Sequence, residues 1–230
     1  MSWIDQKLTL YGRLESGSVA VEALMVEMGL DFDLVEVPKV EELHPKSGTK
    51  VPDWFLNINP MGGIPTIVFG DHRLDQPVPA AQVLTESSAM MLALGDTARA
   101  KSAGLFVPGP EDQARLSYLR WMSFFAASVY PNDLMYFYSD RWTNNSTANA
   151  EIKARAKIRQ IQQMTLVQNY LGDRPFLLGA QISPLDFYAA MFCSWSWAWI
   201  EGGDFPKIHR YCETIFNRPK SKAIWEKHAG

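Results

Sequence analysis

"NPMGGIPTIVF", residues 59–69, decides how the first half of the chain is read. A polar loop with two glycines runs into Ile64-Pro65, and the apolar, β-branched run after it has the character of a strand. An X-Pro bond adopts the cis form far more readily than any other peptide bond. A cis Pro65 would turn the backbone of Ile64 outward, where its N–H and C=O can pair with an extended peptide as an added strand would. A trans proline opening an edge strand is the plainer alternative.

The flanking segments supply the frame. "KLTLYG" (7–12) alternates as a strand, and "FDLVEV" (32–37) is a second strand. Between them Val19 to Met28 repeats apolar residues on one helical face and stops at Gly29. A short helix in "VPDWFLNIN" (51–59) leads into the loop, and "IPTIVFG" (64–70) is the third strand. "QVL" (82–84) is a short fourth strand, followed by a helix in "TESSAMMLALGD" (85–96). The order is βαβ, short helix, ββα. With a right-handed crossover and a closing antiparallel hairpin, it is the order of a thioredoxin-like domain.

Beyond "LFVPGPED" (105–112) the pattern is helical only. Glu111 to Val129 is ended by Tyr130-Pro131, and Ser146 to Leu171 by Gly172. Ser183 begins a third helix that reaches about Ile200, and "KIHRYCETIFNR" (207–218) is a fourth, stopped by Pro219. The expected fold class is therefore α/β plus all-α. It has a thioredoxin-like domain at 1–98, a linker at 99–110 and a helical-bundle domain at 111–230.

Composition narrows the function. The 230 residues are 47% hydrophobic and 20% charged, ample for a core. A net charge of −3 argues against nucleic acid or an anionic membrane as the main partner. The first residues lack a basic stretch followed by an apolar run, so no signal peptide is expected. The longest apolar stretch, "DFYAAMFCSWSWAWI" (186–200), is too short to span a bilayer. Cys193 and Cys212 stand in no metal or redox spacing, and Cys193 reads as a buried, inert thiol. A cytoplasmic, metal-free protein is expected.

Two further stretches carry capping chemistry. In "LTESSAM" (84–90), Thr, Glu and Ser open a helix, which commonly means capping alone. The same N–H groups and the Ser87 hydroxyl can also receive a carboxylate, and the Glu86 carboxylate an ammonium. Such partners suit an α-amino-acid group like that of a γ-glutamyl unit. In "GAQISPLDFYAAMF" (179–192), Ser183 and Asp186 form the Asp variant of a capping box, with Ile182 placed for a staple. That box is structural.

"NPMGGIPT", "LTESSAM" and "SPLD", in this order and spacing, resemble the cytosolic glutathione S-transferase family over essentially the whole chain. The resemblance implies a thioredoxin-like domain that binds glutathione, a helical domain that forms most of an electrophile pocket, and a homodimer. By position it implies that Ile64 and Pro65 hold the cysteinyl backbone and that Glu86 and Ser87 hold the γ-glutamyl end. It also assigns Lys50, nine residues before Asn59, to the glycine carboxylate. The position of the Beta-type cysteine falls on Gly17, so a mixed disulfide through that residue is unavailable. Within "LESGS" (14–18), which also resembles some Beta/Zeta-like members and glutathione-dependent β-etherases, Ser16 and Ser18 remain as hydroxyls for the thiol.

A free thiol has a pKa near ~8.5, so a hydroxyl donor and a helix N-terminus are needed to favour the thiolate. Ser18 is expected to donate to the sulfur and Ser16 to support the turn. An N-cap role alone is the alternative for Ser18, worth about 1 kcal/mol. Tyr118, Trp121, Phe125, Tyr130 and Tyr136 are candidates for an apolar wall against a small apolar or aromatic electrophile. "HRLDQPVPAAQ" (72–82) exceeds a tight turn and reads as a lid, a dimer contact or a tolerated insertion. His44, His72, His209 and His228 are scattered, and each is expected on the surface. The expected activity is conjugation of the glutathione thiolate to an electrophile. Ether cleavage, disulfide exchange and non-catalytic ligand binding on the same fold stand as alternatives.

Overall fold

The structure, a computed structural model, describes residues 2–197 and 205–229. The chain forms two compact units: Met1–Gly104 together with Pro219–Gly230, and Leu105–Arg218. Residues 219–230 thus belong with the first unit, whereas the sequence assigned them to the helical domain.

In the first unit, β1 (Leu8–Gly12) runs parallel to β2 (Asp33–Glu36) and antiparallel to β3 (Thr66–Phe69). The short β4 (Val83–Leu84) pairs antiparallel with β3, so the sheet order is β2-β1-β3-β4. One face carries α1 (Ser18–Glu27), which also packs against α3 (Ser87–Gly95) and α10 (Lys222–His228). Covered by the sheet and both helices, α1 is apolar nearly all round, and Val19 to Met25 are buried. The other face carries α2 (Asp53–Leu56), where Phe55 and Ile58 join Tyr11, Val37, Val51 and Val68 in a separate cluster. A further short helix, α4 (Ala98–Ser102), lies where the sequence indicated a linker. Thr97 caps it, its hydroxyl accepting the Ala100 N–H at 3.4 Å.

The second unit is helical: α5 (Gln113–Phe124), α6 (Tyr130–Phe137), α7 (Ser146–Leu171), α8 (Pro184–Trp197) and α9 (Pro206–Phe216). The helix expected to stop at Tyr130-Pro131 does not stop there. A single π-helical turn, Phe125–Val129, joins α5 to α6, and the Tyr130 N–H reaches back five residues to the Phe125 carbonyl. This places Pro131 in the first turn of α6, where its missing N–H costs no internal bond. α7 has the predicted limits, capped by Asn145 at one end and by Gly172 in a positive-φ conformation at the other. Of the helix expected up to about Ile200, residues 198–200 lie outside the described part.

Buried polar groups hold this unit together. Asn132 Nδ2 donates to the Ala156 carbonyl (2.9 Å) and to Gln160 Oε1 (2.7 Å), and Gln160 Nε2 donates to Ser196 Oγ (2.6 Å). The capping box is larger than the sequence indicated. Asp186 accepts the Ser183 N–H and hydroxyl, both at 2.7 Å, and also the Leu177 N–H and the Tyr211 hydroxyl, both at 2.9 Å. Burial raises its carboxyl pKa despite these donors. Asp133, in α6, differs: both its oxygens are buried and neither has a partner among the described residues. Burial lifts this carboxyl well above the usual range.

Candidate active site

Strand pairing brings the three sequence-predicted segments to one end of the sheet. Thr66 pairs with Tyr11, so the start of β3 lies beside the end of β1. Leu84 pairs with Ile67, so the end of β4 lies at that same end. The turn after β1 holds Ser16 and Ser18, the loop before β3 holds Ile64 and Pro65, and the junction after β4 holds Glu86 and Ser87. Both α1 and α3 begin here, so two helix N-termini with their N–H groups and positive dipole ends share this edge.

The serine turn is tightly knit. Ser18 is 1% exposed, accepts the Arg13 N–H (3.1 Å) and donates to the Arg13 carbonyl (2.8 Å). Its hydroxyl also lies 2.8 Å from that of Ser16. Ser16 is half-buried; its hydroxyl reaches the same Arg13 carbonyl at 2.6 Å and accepts the Ser18 N–H at 3.3 Å. Ser18 is thus the more deeply buried of the two hydroxyl-bearing residues and Ser16 the more exposed. Ser18 is packed against Gly12, where an added Cβ would fall 2.8 Å from Ser18 Oγ, so its hydroxyl faces the strand end. Nor does Ser18 cap α1, whose N-cap is Gly17.

The Ile64-Pro65 bond is cis, and Ile64 lies outside the β1–β3 ladder, which begins at Thr66. The loop ahead of it is pinned by residues the sequence reading passed over. Asn59 Nδ2 donates to the Gly63 carbonyl (2.9 Å) and to Thr66 Oγ1 (3.1 Å), while Thr66 Oγ1 donates to the Gly63 carbonyl (2.8 Å). Asn59 Oδ1 accepts the Met61 N–H at 3.0 Å. Gly62 has φ +64°, and a Cβ there would come within 2.2 Å of Thr49 Oγ1 and 2.8 Å of Val51 Cγ2. This close approach brings the 49–51 segment, with half-buried Lys50, onto the loop. The NPMGG pattern carried that signal: an Asn side chain for a turn and a glycine for positive φ.

At the third segment Glu86 adopts φ 63°, ψ 104°, an uncommon conformation for a residue other than glycine. It is exposed, while Ser87 beside it is buried at the start of α3. Backbone outliers of this kind cluster at ligand sites.

Known proteins are similar to this chain in sequence and in fold. The family model described as "Glutathione S-transferase, N-terminal domain" matches residues 18–97. A glutathione S-transferase of Emericella nidulans is 26% identical over 227 residues, covering 96% of this chain and 76% of that protein. A glutathione transferase from Methylococcus capsulatus is 26% identical with a TM-score of 0.73, covering 96% of this chain and 98% of that one. A Sulfitobacter homologue solved with bound glutathione has a TM-score of 0.76 at 23% identity, covering 96% and 98%. Residues 18–97 thus match the glutathione S-transferase N-terminal domain, and the chain is similar to glutathione S-transferases over nearly its whole length.

Other expectations need correction. Tyr118, Trp121 and Phe125 are fully buried, so they are core and not wall. Tyr130 and Tyr136 keep partial exposure. Tyr130 contacts Phe192 (5.3 Å between centroids) and the half-exposed Trp195 (6.1 Å), a residue the sequence reading missed in its uniformly aromatic helix. The 72–82 insertion is laid back onto its own unit. Val78 N–H donates to the Asn57 carbonyl (3.0 Å), and Val78 packs on the α2 cluster.

Tyr11 donates from its hydroxyl to Nε2 of His72, and burial pushes this phenol up to about 12, so it keeps its proton. His72 and His44 are therefore half-buried and bonded, the latter to Asp53, and the His228 side chain is 4% exposed. Only His209 is on the surface as expected. Cys193 and Cys212 are both buried, and burial raises the Cys212 thiol. No group of side chains suited to a metal occurs among the described residues, and none of their helices is long and apolar enough to cross a membrane.

Proposed function

We propose that this chain binds glutathione at the shared end of β1, β3 and β4 and adds its thiolate to a small apolar or aromatic electrophile. The observation that carries the reading is the meeting there of three separate segments and two helix N-termini. The Ile64 backbone pairs with the cysteinyl unit. Glu86 takes the γ-glutamyl ammonium, and Ser87 with the α3 N-terminus takes its carboxylate. Lys50 takes the glycine carboxylate.

The serine pair supports a proton arrangement for the thiol. The Arg13 carbonyl is within reach of both hydroxyls. When Ser18 donates to it, the Ser16 proton is free to turn to the sulfur, while the Ser18 N–H still holds Ser16 Oγ in place. Ser16 is thus the outward donor and Ser18 the residue that fixes it. With the α1 dipole, this donor favours the thiolate, which attacks the electrophilic carbon as proximity lowers the barrier.

Calorimetry of glutathione binding tests the site. Glu86→Ala is expected to weaken binding by about 2 kcal/mol or more, the loss of a charge-assisted bond. Unchanged affinity removes this site from consideration.

A further inference from the structure

The last helix of the chain is tied to α1 by buried ionic groups that the proposed thiol chemistry does not yet use. Glu22 lies four residues beyond Ser18, and its side chain is 4% exposed. One carboxylate oxygen accepts from Lys227 Nζ at 2.5 Å, and the other pairs with His228 Nε2 at 2.9 Å. The His228 side chain is as deeply buried as that of Glu22, while Lys227 reaches in from a 37% exposed position. Farther along α1, the buried Glu27 carboxylate accepts the Ser221 hydroxyl (3.2 Å), and the Glu27 carbonyl accepts from Lys220 Nζ (3.2 Å). α3, on another side of α1, has no ionisable side chain over Ser87–Gly95. Tyr11 of β1 belongs to the cluster on the α2 side. Among the described residues, Lys220, Lys227 and His228 are cationic or titratable partners of this stretch of α1, from α10 and the residues just before it.

Four residues of helix rise only about 6 Å, so Glu22 sits roughly one turn behind the start of α1. A carboxylate there stabilises the helix N-terminus but also opposes any anion bound at it. We propose that Lys227 and His228 are positioning residues for the transferase reaction: they fasten α1, and the Lys227 ammonium keeps the buried Glu22 carboxylate from repelling the glutathione thiolate. The proposal rests on the reading that the turn before α1 holds the thiol. Hydrogen bonds from His228 and Lys227 hold the Glu22 carboxyl below its ordinary pKa against the opposing effect of burial, so the carboxylate is charged wherever the thiol titrates.

The charges predict shifts of opposite sign. An uncompensated charge on the order of 10 Å away moves a thiol pKa by about 0.3 to 1.2 units, between water-like and protein-like screening. Lys227→Met keeps most of the stem and removes the cation, so the pKa of bound glutathione is expected to rise. Glu22→Gln removes the carboxylate and keeps the cation, so that pKa is expected to fall. The double variant is expected to return close to the wild-type value.

The measurement is ultraviolet absorbance of the bound thiolate against pH. Calorimetry with glutathione and circular dichroism are run on each protein. A purely structural clasp would leave the thiol pKa unmoved or displace it in one direction in all three variants, and either result overturns the proposal. If Lys227→Met fails to fold, Glu22→Gln and the double variant decide by the same criterion. A wild-type protein that takes up no glutathione overturns the underlying reading and this proposal with it. One that binds glutathione but whose thiol pKa ignores the variants overturns this proposal alone.

Discussion

The proposed function gives Ser16 and Ser18, two positions apart, different work, and a pair of substitutions tests the difference. Ser16→Ala removes the outward donor, so the pKa of bound thiol is expected to rise by about one unit or more, the scale of a lost hydrogen bond. Fold stability is expected to change little, because Ser16 is only half-buried. Ser18→Ala leaves the Arg13 N–H without the Ser18 oxygen and empties a buried position, so about 1–3 kcal/mol of stability should be lost. A thermal melt and a pH titration of thiolate absorbance distinguish the two outcomes. If Ser18→Ala moves the pKa and Ser16→Ala does not, the assignment reverts to the order read from the sequence. The difference in burial between the two was not legible in the sequence, because both hydroxyls precede or begin the same helix. The Arg13 backbone folds back within reach of both hydroxyls, and only Ser18 also accepts its N–H. The conformation of Glu86 was equally hidden, since nothing in "LTESSAM" marks a positive φ.

Among the elements, those with a strong local signal were legible. α7 has the predicted limits because Asn145 and Gly172 punctuate a long helical pattern. The sheet followed from alternation and the hairpin order. What failed was non-local or depended on one backbone irregularity. Pro131 looked like a stop, and one π-helical turn absorbs it. α10 has little signal of its own and is held by Glu22 and Glu27, remote in sequence.

Asp133 in α6 yields a pH prediction. Its folded carboxyl lies well above the unfolded value, so folding favours the protonated form. Its contribution is greatest below the unfolded pKa, and stability is lost as pH rises from there towards the folded pKa. Asp133→Asn removes that proton equilibrium and is expected to raise the melting temperature relative to wild type at about pH 8, with a smaller effect near pH 4. Melts at both pH values check this. An Asn variant that loses stability more at the higher pH would show that the charged carboxylate has a stabilising partner.

At the scale of the whole molecule, the chain leaves the first unit at Gly104 and returns to it at Pro219, so that unit is built from both ends of the sequence. The two-part organisation was legible from the change in pattern near residue 105, but the return was not. Each unit also exposes apolar side chains that nothing in its own fold covers. Met61 is 73% exposed on the loop that pins Lys50 and Ile64, and Leu116 and Leu119 stand one turn apart on α5, the former 70% exposed. Single exposed apolar residues are ordinary, whereas a pair on one helix face is a candidate contact surface. A homodimer stays a proposal for which these residues are candidate contacts, and closed two-fold dimers are the commonest oligomer. One chain is 26.0 kDa, so light scattering at micromolar concentration is expected to give about 52 kDa. Leu116→Asp and Met61→Asp are each expected to lower that mass at the same concentration, because a charge in a dimer contact is costly to bury. Particles of only one chain mass in the unsubstituted protein would remove the homodimer. A dimer indifferent to both substitutions would move its contact to a different surface.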